Sequence, residues 1–373
     1  MINEKRLVDL FLRLITVSTP AKNELPLAEM LRPMLEEIGF SVEEDDTGRQ
    51  IGGTVGNLIG YKQGTSKTGH RIFFSAHMDT VAPTDKLTPQ ISDGVIHTDG
   101  KSILGADDKA GIAAIIEAMR VVEKQNIPYR SIQILFDVAE EVGLMGAKNL
   151  SKDKIRADFG YVFDTEKPVA SLVVAAPSHE NFRVKFTGKA AHAGIRPESG
   201  VSAIVAASRA IAGMRLGRVD EETTANVGVI RGGQARNIIP DEVEVFAEAR
   251  SRNEDKLAEQ VEHMVRCFHD AAHEVGADVD IEVVREYSAY RFTPDDLVVR
   301  MGMEAGKRMG IEPKLVEGGG GSDANVFNSY GLPAVVVGVG FENAHSSAES
   351  IAISDLVTCA RYVIALVEAS TEV

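Results

Sequence analysis

Five residues able to hold metal lie along the chain, each in a short, distinctive phrase: His77 in SAHMDTV (75–81), Asp107 in GADDKAG (105–111), Glu141 in DVAEEVG (137–143), Asp164 in YVFDTEK (161–167) and His345 in ENAHSSAES (342–350). Two imidazoles and three carboxylates suit a pair of Zn²⁺ ions. Nitrogen and oxygen donors fill tetrahedral or five-coordinate shells, and one carboxylate can bridge. Such a set points to metal-assisted hydrolysis. Taken singly, each phrase has a plainer explanation: His77 as a satisfied or surface histidine, Asp107 as part of an acidic helix start, and Glu141 as a solvated strand end.

The neighbours of these residues strengthen the metal reading. The apolar run Ile72-Phe73-Phe74 has the character of a buried strand. If 75–79 stays extended, His77 and Asp79 point the same way. Asp79 is then placed to hold the His77 ring, fixing its tautomer and raising its basicity, and is not itself a ligand. Glu140 and Glu141 close another apolar run, Ile132 to Phe136. In extended chain such neighbours face opposite sides, so one carboxylate can bind metal while the other accepts a proton from water. Glu140 is assigned as general base and Glu141 as ligand.

The elements that position them alternate between strand and helix. Ile112, Ile115, Ile116, Met119 and Val122 recur at helical spacing over 109–123, and helices are also expected near 3–16 and 24–38. The segment 57–68, with Gly60 and Gly64, reads as a loop. Asp164 follows Tyr161-Val162-Phe163, and His345 follows a strand-like 334–339. In open α/β sheets ligands collect at the carboxyl ends of strands, so all five donors can converge on one site.

At 373 residues the chain exceeds the size at which single cores tend to split, and two domains are expected. The character changes near residue 179. Strand-like 182–187, helix-like 199–214, strands near 225–231 and 242–250, a helix over 253–275 and a strand over 278–285 read as a βαββαβ, ferredoxin-like α+β domain inserted in the first. The expected division is 1–178 with 292–373 for the metal-binding domain and 179–291 for the insert. Within the insert, His192 lies in a small-residue loop, Asn237 precedes Ile238-Ile239-Pro240, and Arg250 is flanked by Glu248 and Arg252. Alone, these are a loop histidine, a strand start and a surface charge.

The ordered set of phrases resembles the M20 family of dinuclear zinc peptidases and, within it, the peptidase T-like tripeptide aminopeptidases, over essentially the whole chain. The resemblance implies a zinc-exopeptidase-like mixed α/β sheet flanked by helices. It implies two Zn²⁺ ions per chain, with Co²⁺ or Mn²⁺ as substitutes. Asp107 would bridge them, with His77 and Asp164 completing one site and Glu141 and His345 the other, and the Asp107–Asp108 peptide would be cis. It also gives His192 and Asn237 a role in holding the substrate carbonyl, gives Arg250 one in binding a substrate carboxylate, and implies closure of the domains around substrate. In many relatives the matching histidine comes from a partner subunit, so a homodimer through the inserted domain is an open expectation. An N-acyl amino-acid deacylase or a carboxypeptidase would use the same metals with a different pocket. A one-metal enzyme and a metal-dependent peptide-binding protein are further alternatives, though a binding protein has no reason to keep Glu140 beside Glu141.

Composition agrees with a soluble enzyme. A formal net charge of −15 argues against nucleic acid and anionic membrane surfaces as partners. Two cysteines give no disulfide framework, the start MINEKRLVDLF lacks the apolar core of a signal peptide, and no apolar run reaches the length of a membrane span. A cytoplasmic location is expected. Gly318–Gly321 is followed by Ser322-Asp323 where a phosphate loop needs Gly-Lys-Ser/Thr. A flexible backbone near the substrate suits it better, with Asp323 contacting substrate or capping a helix. No Gly-x-Ser-x-Gly elbow accompanies a plausible triad, which disfavours a serine hydrolase.

Overall fold

Largely apolar runs form the centre of the larger unit. They become the strands Ser131–Asp137, Arg71–His77, Phe159–Thr165 and Ala334–Gly338, four neighbours paired in parallel in that order. Parallel strands are buried on both faces and therefore lack polar alternation. Antiparallel strands extend the sheet on both sides, Leu58–Gln63 and then Ser41–Glu44 beyond Ser131–Asp137, and Leu172–Ala176 beyond Ala334–Gly338. The computed structural model describes residues 1–84, 87–166 and 168–371.

Successive side chains of a strand face opposite sides, and Arg71–His77 shows what this builds. Phe74 joins the large core, edge-on to Phe163 at 5.9 Å, beneath the helix Ala106–Gln125. That helix is buried along most of its length, with Glu4–Ile15 and Ile353–Ala369 packed against it. Phe73 points the other way and meets Phe327 of the helix Asp323–Ser329 at 5.0 Å, also edge-on. Gly160, on the adjacent strand, makes room for that ring: a Cβ there would lie 2.1 Å from Phe73 Cδ1.

The loop expected over 57–68 is in part a strand, Leu58–Gln63, paired with Ser131–Asp137 from Leu58 opposite Phe136 to Gln63 opposite Ser131. Gly60 is the misleading residue. A Cβ there would meet Phe40 at 3.3 Å and Leu35 at 3.5 Å, so the glycine serves close packing of a strand on a helix and not a turn. A separate small antiparallel sheet orders Phe341–Glu342, Ser350–Ala352, Val95–His97 and Gln90–Ser92.

The chain divides into two compact units, Met1–Val174 with Phe292–Glu317 and Ser322–Val373, and Ala175–Arg291 with Gly318–Gly321. The second has an antiparallel sheet ordered Gly217–Arg218, Thr223–Gly232, Glu242–Ser251, Ser178–Thr187 and Asp278–Tyr287. Helices Ala203–Ala212 and Glu254–Val275 cover one face, where Phe182 and Phe186 pack on Phe268. This is the expected βαββαβ pattern with a short extra edge strand. Among the described residues no helix is long and apolar enough to cross a membrane.

The Gly160 contact yields a prediction. Gly160→Ala should push the Phe73 ring off Phe327 and cost about 1–3 kcal/mol, as overpacking of a tight core does. Urea unfolding would read this as a lower midpoint, and an unchanged midpoint would show that the ring relaxes freely.

Candidate active site

The parallel strands deliver their carboxyl ends to one edge of the sheet, and the donors gather there by different routes. His77 is the last residue of its strand and Asp164 the next to last of Phe159–Thr165. Glu141 lies four residues beyond Asp137, in a turn. His345, with φ of 60°, lies in the connection between Phe341–Glu342 and Ser350–Ala352. Asp107 is at no strand end. It opens the helix Ala106–Gln125, where Asp107 and Asp108 have non-helical backbone and the peptide between them is cis.

Asp107 is the centre of the cluster. Its Oδ1 is 3.0 Å from His77 Nε2 and its Oδ2 3.3 Å from His345 Nε2. His77 Nε2 is also 3.7 Å from Asp164 Oδ1, and His345 Nε2 2.9 Å from Glu141 Oε1. Each imidazole thus stands between two carboxylates, and Asp107 is common to both groups. Ligand atoms of His77, Asp107 and Glu141 all lie within 4.8 Å of one another.

The electrostatics show what the cluster demands. Burial and the nearby carboxylates, chiefly Asp107, hold the Asp164 carboxyl well above its usual range, and burial with Asp164 does the same to Glu140. Burial disfavours the charged form of His77, yet Asp107 and Asp79 outweigh it and push the imidazole well up. Hydrogen bonds to Asp107 and Glu141 push His345 up to about 10. Protons on the two imidazoles hold Asp107 ionised against its burial. A divalent cation suits these donors better, because it supplies the positive charge while taking the imidazoles as neutral ligands and the carboxylates as anions.

The groups behind the donors fix their directions. His77 Nδ1 donates to the backbone carbonyl of Asp79 at 2.9 Å, which leaves Nε2 facing Asp107 and free to bind a cation. The Asp79 carboxylate is 3.4 Å from the same ring nitrogen. Its principal bonds run elsewhere, since Oδ1 accepts from the Glu140 amide at 3.0 Å and Oδ2 from the Glu141 amide at 3.1 Å. Glu140 and Glu141 lie beyond the end of the strand Ser131–Asp137. Ala139, with a left-handed φ of 53°, turns the backbone just before them, so it is the turn that sets their directions.

Two further residues escaped the sequence reasoning. Glu349 is fully buried and accepts from the amides of Gly105 at 2.7 Å and Asp107 at 2.9 Å, so it carries the backbone of the central carboxylate. Glu349, between Ala348 and Ser350 in ENAHSSAES, gave no sign of this. Lys109, also buried, donates to the Val17 carbonyl at 2.8 Å; burial pulls its pKa down to about 8 against the opposing charges of Glu349 and Asp79. Asp323 begins a helix whose N-cap is Ser322, and it lies buried near Asp137 and Asp164, with burial raising its pKa well above the usual range.

In the smaller unit, His192 and Asn237 are exposed and neighbouring: 191–193 pairs with 237–239 through Ala193 N to Asn237 O and Ile239 N to Ala191 O, both 2.9 Å. His192 Nδ1 accepts from the Gly194 amide at 3.1 Å, which leaves the proton on Nε2 for an outside acceptor. Arg250 lies in the strand Glu242–Ser251, opposite His179, and donates to Glu248 at 2.9 Å and to the Tyr287 hydroxyl at 3.3 Å. Gly321, in the same unit, lies under the Tyr287 ring. Lys167, the last residue of YVFDTEK, falls outside the described residues.

A mixed sheet with acidic and imidazole donors gathered at one edge fits a metal-dependent hydrolase. The chain belongs to peptidase family M20/M25/M40, whose pattern it matches over residues 73–369. It is similar along its whole length to the crystal structure of aminopeptidase PepT from Bacillus cereus ATCC 10987, with 42% identity, 100% of both chains covered and a TM-score of 0.93. It is also similar to a tripeptidase from Staphylococcus aureus subsp. aureus Mu50, with 38% identity, 100% of this chain and 99% of that one covered and a TM-score of 0.96. A peptidase T from Fusobacterium nucleatum is 26% identical over 391 aligned residues, covering 95% of this chain and 92% of its own. The protein is a peptidase of this family.

The protonated imidazoles set a sign for metal uptake. Binding must expel protons from His77 and His345, so affinity should rise with pH below about 10, the value to which His345 is raised. Chelator competition at pH 6 and pH 8 should show tighter binding at pH 8. Equal affinities would mean that the imidazoles are not ligands.

Proposed function

We propose that the chain is a zinc-dependent aminopeptidase of the tripeptidase type, releasing the first residue of short peptides. The observation that carries this reading is full-length similarity, at 42% and 38% identity, to an aminopeptidase and a tripeptidase. The site geometry supports it with one carboxylate, Asp107, addressed by an imidazole on each oxygen. Two Zn²⁺ ions, one held by His77 and Asp164, one by Glu141 and His345, and both by Asp107, would supply Lewis acidity to a peptide carbonyl and acidify a water.

The remaining work belongs to side chains. Glu140, whose backbone N–H donates to the Asp79 carboxylate and which is outside the ligand set, takes the proton of the attacking water and delivers it to the departing amine. His192, with its proton on Nε2, and the Asn237 amide serve as donors to the carbonyl oxygen as charge builds on it. Arg250 takes the carboxylate at the far end of the peptide by a forked, charge-assisted bond. Such a grip on the far carboxylate would favour short peptides with a free carboxyl end over longer ones.

Two secondary proposals accompany this reading. In the smaller unit, Gly217–Arg218 pairs only with Thr224 and Ala225, so the outer edge from Asn226 to Gly232 is open among the described residues. Ile204, Val205 and Ile230 are exposed at 39%, 42% and 47%. A second copy of this chain fits such an edge, and light scattering returning the mass of one chain would refute the dimer. The unpaired Cys267 and Cys359 suit a reducing compartment, and we place the enzyme in the cytoplasm, which cell fractionation would test.

Free and N-acetylated di-, tri- and tetrapeptides presented to the zinc-loaded protein test the main reading. Free tripeptides should be cleaved best, and Arg250→Ala should raise KM for them and blunt the length preference. Cleavage of N-acetylated amino acids with no cleavage of free tripeptides would instead identify a deacylase. Glu140→Ala should keep its zinc and lose about 10²–10⁴ in kcat, whereas Glu141→Ala should lose metal. Near-normal turnover in Glu140→Ala would assign the proton to another residue.

A further inference from the structure

We propose that Glu24 is a positioning residue for the hydrolysis, acting through the backbone that carries Glu140 and Glu141; the role assigned to that backbone rests on the peptidase reading above. After the strand Ser131–Asp137 ends, four consecutive amides donate to side chains instead of to a neighbouring strand. Val138 N donates to Asn57 Oδ1 at 3.1 Å and Ala139 N to Glu24 Oε1 at 3.0 Å. Glu140 N and Glu141 N donate to the two oxygens of Asp79 at 3.0 and 3.1 Å. The acceptors come from three separate segments, at the start of the helix Leu25–Ile38, just before the strand Leu58–Gln63 and just after His77.

Among these, Glu24 controls the residue that turns the chain. Ala139 has a left-handed φ of 53°, unfavourable for any residue with a Cβ, so it persists only where its surroundings hold it. The acceptor at its amide is part of that hold, and the residue after it is the proposed base. Asn57 is itself braced, donating to Asp45 Oδ2 at 2.8 Å and to the Gly146 carbonyl at 3.0 Å. Glu24 is built at greater cost. It is fully buried, the same Oε1 also accepts from Lys22 N at 2.7 Å, and Oε2 is buried with no partner. Burial, with the nearby Asp79 charge, pushes its pKa up to about 7. A neutral amide would make the same two bonds through its oxygen without burying a charge, so glutamine tests the bond apart from the charge.

Glu24→Ala, Glu24→Gln and Glu24→Asp, compared with the wild type in the full-length zinc-loaded protein, separate positioning from mere support. In Glu24→Ala, kcat on a free tripeptide should fall about tenfold or more, as misplacement of a catalytic group does, with KM within about twofold and zinc content unchanged. Hydrogen exchange over 138–141 should speed up by about tenfold or more as a buried amide loses its acceptor. Glu24→Gln should restore both. Unchanged exchange over 138–141 in Glu24→Ala overturns the proposal whatever the substrate, and so does unchanged kcat. A fall in kcat that tracks lost zinc and that glutamine does not rescue shows a structural role and also overturns it. If Glu24→Ala does not fold, Glu24→Asp keeps the charge but withdraws the oxygen by one methylene. It should be slower than Glu24→Gln, and a rate equal to or above the glutamine variant's overturns the proposal. A wild type that cleaves no tripeptide at all refutes the tripeptidase reading, while the exchange result still decides the contact.

Discussion

The rest of the larger unit is arranged around one electrostatic constraint, that several carboxylates occupy a buried region with few protein cations to offset them. Like charges so close cannot all stay ionised without a counter-charge, and the fold answers in two ways. Some carboxylates take backbone amides: Asp79 at 140 and 141, Glu349 at 105 and 107, Glu24 at 22 and 139. Others, Asp107, Asp164 and Glu141, are left with imidazoles as their partners. The first group is locked by the chain. The second is available for a cation.

This division depends on the parallel sheet. Parallel strands ending at one edge leave their next amides without ladder partners, and buried amides must find acceptors somewhere. The carboxylates that solve this problem for the backbone are those that set the directions of the donors. The buried helix Ala106–Gln125 joins the same scheme, because its first residues carry Asp107 while Glu349 holds their amides. Burial of so many acids costs stability, and the apolar sheet and helix core, with the Phe73–Phe327 and Phe74–Phe163 contacts among its parts, must offset it.

What was legible in the sequence follows from how local each signal is. The strand around Ile72–Phe74, the helix around Ile112–Val122 and the βαββαβ succession show in apolar periodicity, which local sequence fixes. The phrases also marked His77, Asp107, Glu141, Asp164 and His345, which the structure brings together. Gly60 misled because a glycine required for close packing and one required for a turn look alike in one sequence. Glu24, Asn57 and Glu349 were silent, since their partners lie 115, 81 and 244 residues away along the chain. Long-range bonds from a side chain to a backbone amide leave no periodic trace.

The adjacent pair Glu140 and Glu141 shows how little of a residue's role lies in its type. Both are glutamates, and both amides are held by one carboxylate. Their chemistry separates at the side chains. Glu141 reaches His345 at 2.9 Å and shares that imidazole with Asp107, so it belongs to the donors. Glu140 is set among Asp164, Asp323 and Glu141, whose charges, added to its burial, favour its protonated form. A cation beside those neighbours would offset their charge and favour the ionised form of Glu140, the form that the proposed base needs. The left-handed turn at Ala139 is what lets two neighbouring residues of one kind enter such different surroundings.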